Sequence, residues 1–181
     1  ISYKIIKSFK DAIFSIEAAI KKQPGNQIYK ILKADILIES GQNEEAKDLL
    51  LNLQLEKNSV LYFQREILIS KIFITQKKYL LAEEILLKLR NLFSKEKILY
   101  LNLSDLYFKS KDLKKGILIL KEGVKKFPEF IPLRFNLGVI YRNLGLIESS
   151  IKTHLEILSD DQFNSNSYYE LSTMYNFSNH N

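Results

Sequence analysis

Ser150 and His154 have the spacing of a nucleophile and the base that activates it. They lie four residues apart in the 181-residue chain, so on a helix both side chains would point to the same side. Such a pair acts in catalysis only if the serine hydroxyl donates to the imidazole. The interpretation of the pair therefore depends on the elements that position it.

No other group of residues has the spacing of a catalytic or cofactor site. Acidic pairs occur at Glu44/Glu45, Glu83/Glu84 and Asp160/Asp161, without a histidine or further carboxylate at metal-ligand spacing beside them. The stretch GVIYRNLG at 138–145 matches neither glycine-rich phosphate-binding pattern, and the chain has no cysteine. We therefore expect a protein that is not an enzyme and that uses no metal or cofactor.

The sequence repeats with a period of 34 residues. Segment 101–128 aligns with 135–162 without a gap, and the period extends back through 67–89. Frames begin at Gln27, Phe63, Lys97, Ile131 and Ser165, with a two-residue insertion at positions 61 and 62. We predict one array: a partial repeat with a complete second helix at 1–26, full repeats at 27–62, 63–96, 97–130 and 131–164, and a first or capping helix at 165–181.

Each frame contains two windows of helical periodicity. Apolar residues recur every three or four residues over two windows of about thirteen residues. The breaks between windows carry turn and cap residues, with Asn43 and Asp112 as candidate N-caps. These breaks come about every 17 residues, too far apart for the short strands of a sandwich. The pattern predicts an all-α fold of antiparallel helix hairpins.

These repeats resemble the tetratricopeptide repeat, a 34-residue helix-turn-helix unit with small residues at its positions 8 and 20. We number the positions of each frame from its first residue and call them slots 1 to 34. Slot 8 holds Ala34, Ser70, Ser104, Gly138 and Ser172, and slot 20 holds Ala12, Ala46, Ala82, Gly116 and Ser150. Small side chains at these slots let neighbouring helices approach closely. The resemblance implies an all-α, right-handed superhelical solenoid of antiparallel helix hairpins.

Several residues depart from the family pattern. Gly145 fills slot 15, where a left-handed residue ends the first helix, but lysine takes that slot elsewhere (Lys7, Lys77, Lys111). We expect those turns to differ in geometry or to carry strain. Lys33 at slot 7 predicts a shifted first helix in its repeat. Because other repeats have Ile or Leu at slot 24, we interpret His154 as a packing residue.

The resemblance also implies a concave groove lined by the first helices. Partners of the family contact slots 2, 5, 6, 9, 12 and 13 of each repeat. The corresponding candidates are Ile31, Asp35, Ile38, Ile67, Lys71, Ile74, Leu101, Asn102, Asp105, Phe108, Phe135, Asn136, Val139, Arg142 and Tyr169. A band of large apolar side chains is therefore expected along the groove, giving way to polar residues toward the C-terminus.

Charged and amide residues in this set indicate the kind of ligand. Some family members use basic and asparagine residues to clamp a peptide's terminal carboxylate, whereas slot 9 is acidic at Asp35 and Asp105. We therefore expect no carboxylate clamp. Asn102 and Asn136 can instead pair with the main chain of an extended peptide, whose apolar side chains Leu101, Phe108 and Phe135 would hold. The alternative interpretation is that asparagine at slot 6 and aromatic residues at slots 5 and 12 are simply common in this repeat and indicate no ligand.

Composition restricts the partners. The net charge of +6 arises from 23 lysines and four arginines against 21 acidic residues. Forked contacts to phosphate favour arginine, which is rare in this chain, and the lysines alternate with acidic residues. We therefore interpret the excess of basic residues as a solvated surface and expect no nucleic-acid ligand. No window approaches the roughly 18 consecutive apolar residues of a membrane span, so we expect no membrane insertion. The sequence does not determine the cellular compartment, although it slightly favours the cytoplasm.

The leading hypothesis is a non-catalytic protein–protein interaction scaffold that binds a peptide or protein segment in the groove. Because a half hairpin stands at each end of the sequence, a first alternative is the repeat region of a larger enzyme, for example a sulfotransferase-like protein, with its catalytic domain outside this chain. The second alternative is a structural module that self-associates through uncapped ends.

Overall fold

The computed structural model describes the backbone of residues 3–178 and the side chains of residues 8–175. The described backbone forms ten α-helices and contains no strand. They are α1 (Tyr3–Lys22), α2 (Gln27–Glu39), α3 (Asn43–Leu51), α4 (Val60–Thr75), α5 (Tyr79–Leu92), α6 (Ile98–Lys109), α7 (Leu113–Lys126), α8 (Ile131–Asn143), α9 (Ile147–Asp160) and α10 (Ser165–Ser178). The chain divides into two compact units, Ile1–Ser94 and Lys95–Asn181.

The helices pair as hairpins within each unit. In the first unit α2 packs mainly on α3 and α4 on α5; in the second α6 packs on α7 and α8 on α9. Only three residues join the helices of each hairpin, so the two helices run antiparallel. The prediction of an all-α fold built from helix hairpins is confirmed.

The hairpin turns use a left-handed residue at slot 15. Gly41 and Gly145 have φ of +85° and +73°, as expected for a helix that ends in this conformation. Lys77 and Lys111 take the same conformation with φ of 60° and 63°, so the predicted strain is present at both lysines. No turn occurs at Lys7, where the prediction was wrong. Residues 3–22 contain neither Gly nor Pro, and α1 continues through Lys7 as one helix.

Lys33 does not shift its helix. The α2 helix covers slots 1–13 of its frame, as α8 does. The Lys33 ammonium lies 2.8 Å from Glu17 Oε1 and 3.3 Å from Glu45 Oε1. These carboxylates raise the pKa of Lys33, and the hydrogen bond from Lys33 lowers the pKa of Glu17. The predicted shift was wrong because ion pairs to two other helices accommodate the charge at slot 7.

The first helix that differs most from the frame is α4, which is extended at its N-terminal end and ends at Thr75 in slot 13, the slot at which α2, α6 and α8 also end. It begins at Val60, three residues before Phe63, because Ser59 acts as N-cap and accepts a hydrogen bond from the Tyr62 N–H at 3.1 Å. Asp112 caps α7 as predicted, by accepting from the Lys115 N–H. Asn43 is not an N-cap. It is the first residue of α3, and its amide donates to Thr75 Oγ1 at 3.3 Å.

Small residues at slots 8 and 20 lie where helices pack closely. In the first unit, Ala34, Ala46 and Ala82 are fully buried. In the second unit, a Cβ on Gly138 would lie 2.6 Å from His154 Nε2, and one on Gly116 would lie 2.9 Å from Ile140 Cδ1. Neither glycine can gain a methyl group without movement of its neighbour.

Candidate functional site

The apolar groove candidates of the first unit are mostly buried. Ile31, Ile67 and Ile74 have exposed fractions of 5%, 8% and 3%. Ile38 is half-buried and packs against the core formed by α2, α3 and α4. Three of the four isoleucine candidates in this unit are therefore buried, and only Ile38 is partly exposed.

Asp35 and Lys71 are the charged candidates of the first unit. The Lys71 ammonium lies 3.8 Å from Asp35 Oδ1, and both side chains are nearly half-exposed. The pair joins α2 to α4 at slot 9. Such a solvent-exposed ion pair contributes little to stability, in the range of about 0–1 kcal/mol.

In the second unit, candidate residues from α6 and α8 meet at a cavity of about 220 Å³. We call it the α6–α8 cavity. Its lining residues are Ser104, Asp105, Phe108, Phe135, Asn136, Val139 and Ile140. The volume is several times the roughly 30 Å³ that one water molecule occupies in the liquid, so the cavity can take part of a large side chain.

Three apolar side chains form the open part of the wall. Phe108 is 42% exposed, and Phe135 and Val139 are half-buried. Phe135 and Val139 lie four residues apart and so share one face of α8. The Phe135 ring packs edge-to-face on His154, with ring centroids 5.3 Å apart. The buried His154 therefore supports one wall of the cavity from behind.

Hydrogen bonds position the polar part of the wall. Asn136 Nδ2 donates to Ser104 Oγ at 3.3 Å, and the Ser104 hydroxyl donates to the Leu101 carbonyl at 2.8 Å. The first of these bonds crosses from α8 to α6. Because an asparagine amide has two N–H donors and an acceptor oxygen, Asn136 keeps further capacity toward a ligand.

Asp105 gives the cavity a negative edge. Its Oδ2 lies 3.0 Å from the Lys109 ammonium one turn further along α6, and both side chains are about half-exposed. Water screens such a pair, so the carboxylate is available to a cationic group. The lining contains no lysine or arginine, so it lacks the cation that a terminal carboxylate would require.

Four candidates of the second unit do not line the α6–α8 cavity. Leu101 is half-buried, and the Asn102 amide donates to the Ile98 carbonyl of its own helix at 2.8 Å. Arg142 Nε lies 3.1 Å from Glu170 Oε2, which joins α8 to α10. Tyr169 is 67% exposed on α10. Asn102 keeps one N–H and its amide oxygen beside this bond, so its pairing with a peptide main chain stays a prediction.

The Ser150 and His154 pair is not arranged as a nucleophile and a base. The Ser150 hydroxyl donates to the Gly138 carbonyl at 2.8 Å, whereas His154 Nδ1 lies 3.3 Å from Ser167 Oγ. Both side chains are fully buried. Burial, followed by the positive charge of Arg142, lowers the pKa of His154 to about 4, so the imidazole is neutral near pH 7.

Two cavity residues were missed from the sequence. Ser104 occupies slot 8, for which the sequence predicts only a packing role, and Ile140 occupies slot 10. Ser104 precedes Phe108 by four residues, so both lie on the same helix face. That spacing was the available signal for Ser104.

The described residues show neither a metal site nor a membrane span. Within the side chains at 8–175, no three His, Asp or Glu residues are grouped so that they could hold a metal ion. Among the described helices, none is both long enough and apolar enough to cross a membrane.

Comparisons with known proteins show structural relatives only. No family model and no curated protein matches the sequence. A thermophilic tetratricopeptide repeat protein of Thermus thermophilus superposes with a TM-score of 0.76 at 13% identity, over 95% of this chain and 93% of that one. YrrB, described as such a repeat protein with an unusual peptide-binding site, has a TM-score of 0.58 at 16% identity, over 91% and 84%.

The repeat fold also occurs inside a larger assembly. A structure of the Cut9–Hcn1 hetero-tetramer of the APC/C gives a TM-score of 0.68 at 16% identity, over 97% of this chain and 35% of that one. At these identities the comparisons concern the fold. Together with the helix hairpins and the small residues at slots 8 and 20, they show that this chain has the tetratricopeptide repeat fold.

Proposed function

We propose that this protein is a non-catalytic interaction scaffold that binds a peptide segment of a partner protein at the α6–α8 cavity. The observation that carries the proposal is the composition of that cavity. Exposed Phe108, half-buried Val139 and the hydrogen-bonded amide of Asn136 stand together on the first helices of two neighbouring hairpins. Peptide-binding surfaces combine apolar pockets for side chains with polar groups for the main chain in this way.

The wall chemistry defines the segment that fits. A leucine, methionine or phenylalanine side chain would enter the cavity between Phe108 and Val139, where the lining is mainly apolar. The segment's main chain would meet Asn136. A lysine or arginine next to the apolar residue would lie close to Asp105, whereas a terminal carboxylate would be repelled.

A peptide-display selection tests the proposal. Random peptides are selected on the wild-type protein, and the enriched peptides are then measured against Phe108→Asp and Phe163→Asp. Phe163 is 83% exposed between α9 and α10 and is not in the cavity lining, so it provides a matched control. We expect peptides with a large apolar residue beside a basic one to lose at least tenfold in affinity for Phe108→Asp only, since burying a carboxylate costs more than about 1.4 kcal/mol.

Both variants change exposed residues, so far-ultraviolet circular dichroism should match that of the wild type. A selection that enriches no peptide would refute the proposal. Equal affinity of the enriched peptides for the wild type and Phe108→Asp would refute it as well, because the binding surface would then lie elsewhere.

A further inference from the structure

The exposed side of α7 concentrates positive charge. Seven residues of this helix are exposed, and five of them are lysines: Lys114, Lys115, Leu118, Lys121, Glu122, Lys125 and Lys126. The buried residues Gly116, Ile119, Leu120 and Gly123 determine which side faces solvent. Lysines that alternate with other residues in sequence thus come together on one surface.

The other second helices of the hairpins do not share this charge. Exposed charged residues are Glu44, Glu45 and Asp48 on α3, Glu84 and Lys88 on α5, and Glu148, Lys152, Glu156 and Asp160 on α9. The exposed sides of α3 and α9 are therefore acidic, whereas that of α5 carries one acidic and one basic residue. The lysine surplus on α7 is therefore not shared by the second helices α3, α5 and α9.

Lys114, Leu118, Lys121 and Lys125 form a single row along α7. Their spacing of four, three and four residues places them on one helix face, over about 16 Å at 1.5 Å per residue. We call this set the α7 lysine row. Leu118 is 69% exposed in the middle of the row. The row shares no residue with the α6–α8 cavity.

We propose that the α7 lysine row docks onto a membrane surface that contains anionic lipids. Clustered lysines are attracted to the negative potential of such a surface, and an exposed leucine between them can enter the interface while the ammonium groups remain at the headgroups. Arginine, which provides forked contacts to single phosphates, is absent from α7. Three of the four arginines instead lie 2.6 to 3.1 Å from carboxylates.

Cosedimentation with vesicles tests this docking. The probes are vesicles of phosphatidylcholine alone and of phosphatidylcholine with phosphatidylserine, at a mole ratio of roughly 70:30. We expect the wild type to bind only the anionic vesicles, and less at high salt. The triple variant Lys114→Gln, Lys121→Gln, Lys125→Gln should bind about a hundredfold more weakly, because each lysine near the surface contributes about a factor of five.

A matched triple variant controls for net charge. Lys57→Gln, Lys78→Gln, Lys88→Gln removes the same charge from exposed lysines of the first unit and should leave vesicle binding unchanged. An equal loss in both triple variants would overturn the proposal, since binding would then follow total charge. Absence of wild-type binding, or equal binding to neutral vesicles, would overturn it too.

A single tryptophan reports where the membrane contact lies. The chain contains no tryptophan, so Leu118→Trp and Leu155→Trp each introduce one fluorophore. Leu155 is 50% exposed on α9, whose exposed side is acidic. We expect anionic vesicles to shift emission to shorter wavelength for Leu118→Trp only. Binding of polyuridylate or polyglutamate through the α7 lysine row, without vesicle binding, would refute the lipid assignment.

Discussion

The buried imidazole of His154 should make the second unit less stable as the pH falls. Folding lowers the pKa of His154 from 6.5 to about 4, through burial first and the Arg142 charge second. Between these values the unfolded chain binds a proton that the folded chain excludes. The free energy of unfolding is therefore highest above pH 6.5 and is lost progressively toward pH 4.

The expected loss follows from the two pKa values. Between about pH 7.5 and about pH 5, the difference in protonation lowers the free energy of unfolding by about 2 kcal/mol. The groups that face the imidazole are Arg142, whose charge contributes to the lowered pKa, and the Ser167 hydroxyl, which has no charge to gain or lose.

Urea unfolding at constant ionic strength, followed by far-ultraviolet circular dichroism, measures this loss. His154→Leu places in slot 24 the residue type found at Leu50, Leu86 and Leu120. We expect the variant to lose most of the pH dependence, while His180→Gln keeps it. Equal wild-type stability at the two pH values, or an undiminished loss in His154→Leu, would refute the reasoning.

Two further predictions concern backbone positions. Gly138→Ala should lower the free energy of unfolding by about 1–3 kcal/mol in urea titrations, because its Cβ would lie 2.6 Å from His154 Nε2, an overlap that outweighs the gain in helix propensity. A stabilised variant would show that the α8–α9 contact is looser than described. Lys111→Gly should raise the free energy of unfolding by about 1 kcal/mol, since glycine adopts a φ of 63° without strain. Lys111→Ala, which keeps the strain, is the control and should change little.

The helix hairpins could be predicted from the sequence because they depend on local signals. Period-34 spacing, small residues at slots 8 and 20 and glycine at slot 15 each have a direct physical role in a hairpin. Lys33 and Lys7 were misjudged because a slot pattern does not include compensating ion pairs or the tendency of a segment without Gly or Pro to stay helical.

The candidate site was harder to predict than the fold. Ile67 at slot 5 and Phe108 at slot 12 are both large apolar residues at predicted groove positions, so the sequence does not distinguish them. In the structure, however, Ile67 is buried and Phe108 is 42% exposed. Only the packing of each unit decides which of these side chains reaches solvent. The charge on α7 was missed for the same reason, because lysines that alternate in sequence share a face only once the buried side of the helix is known.

Photo-crosslinking of a display-selected peptide shows directly whether the peptide binds at the α6–α8 cavity. A benzoylphenylalanine at position 139 would replace Val139 in the wall of the α6–α8 cavity, and one at position 155 would replace Leu155 on α9 as the control. For a peptide that binds the wild-type protein, we expect crosslinks from position 139 and none from position 155, as identified by mass spectrometry. A bound peptide that crosslinks only from position 155 would contradict the assignment of the α6–α8 cavity as the binding site.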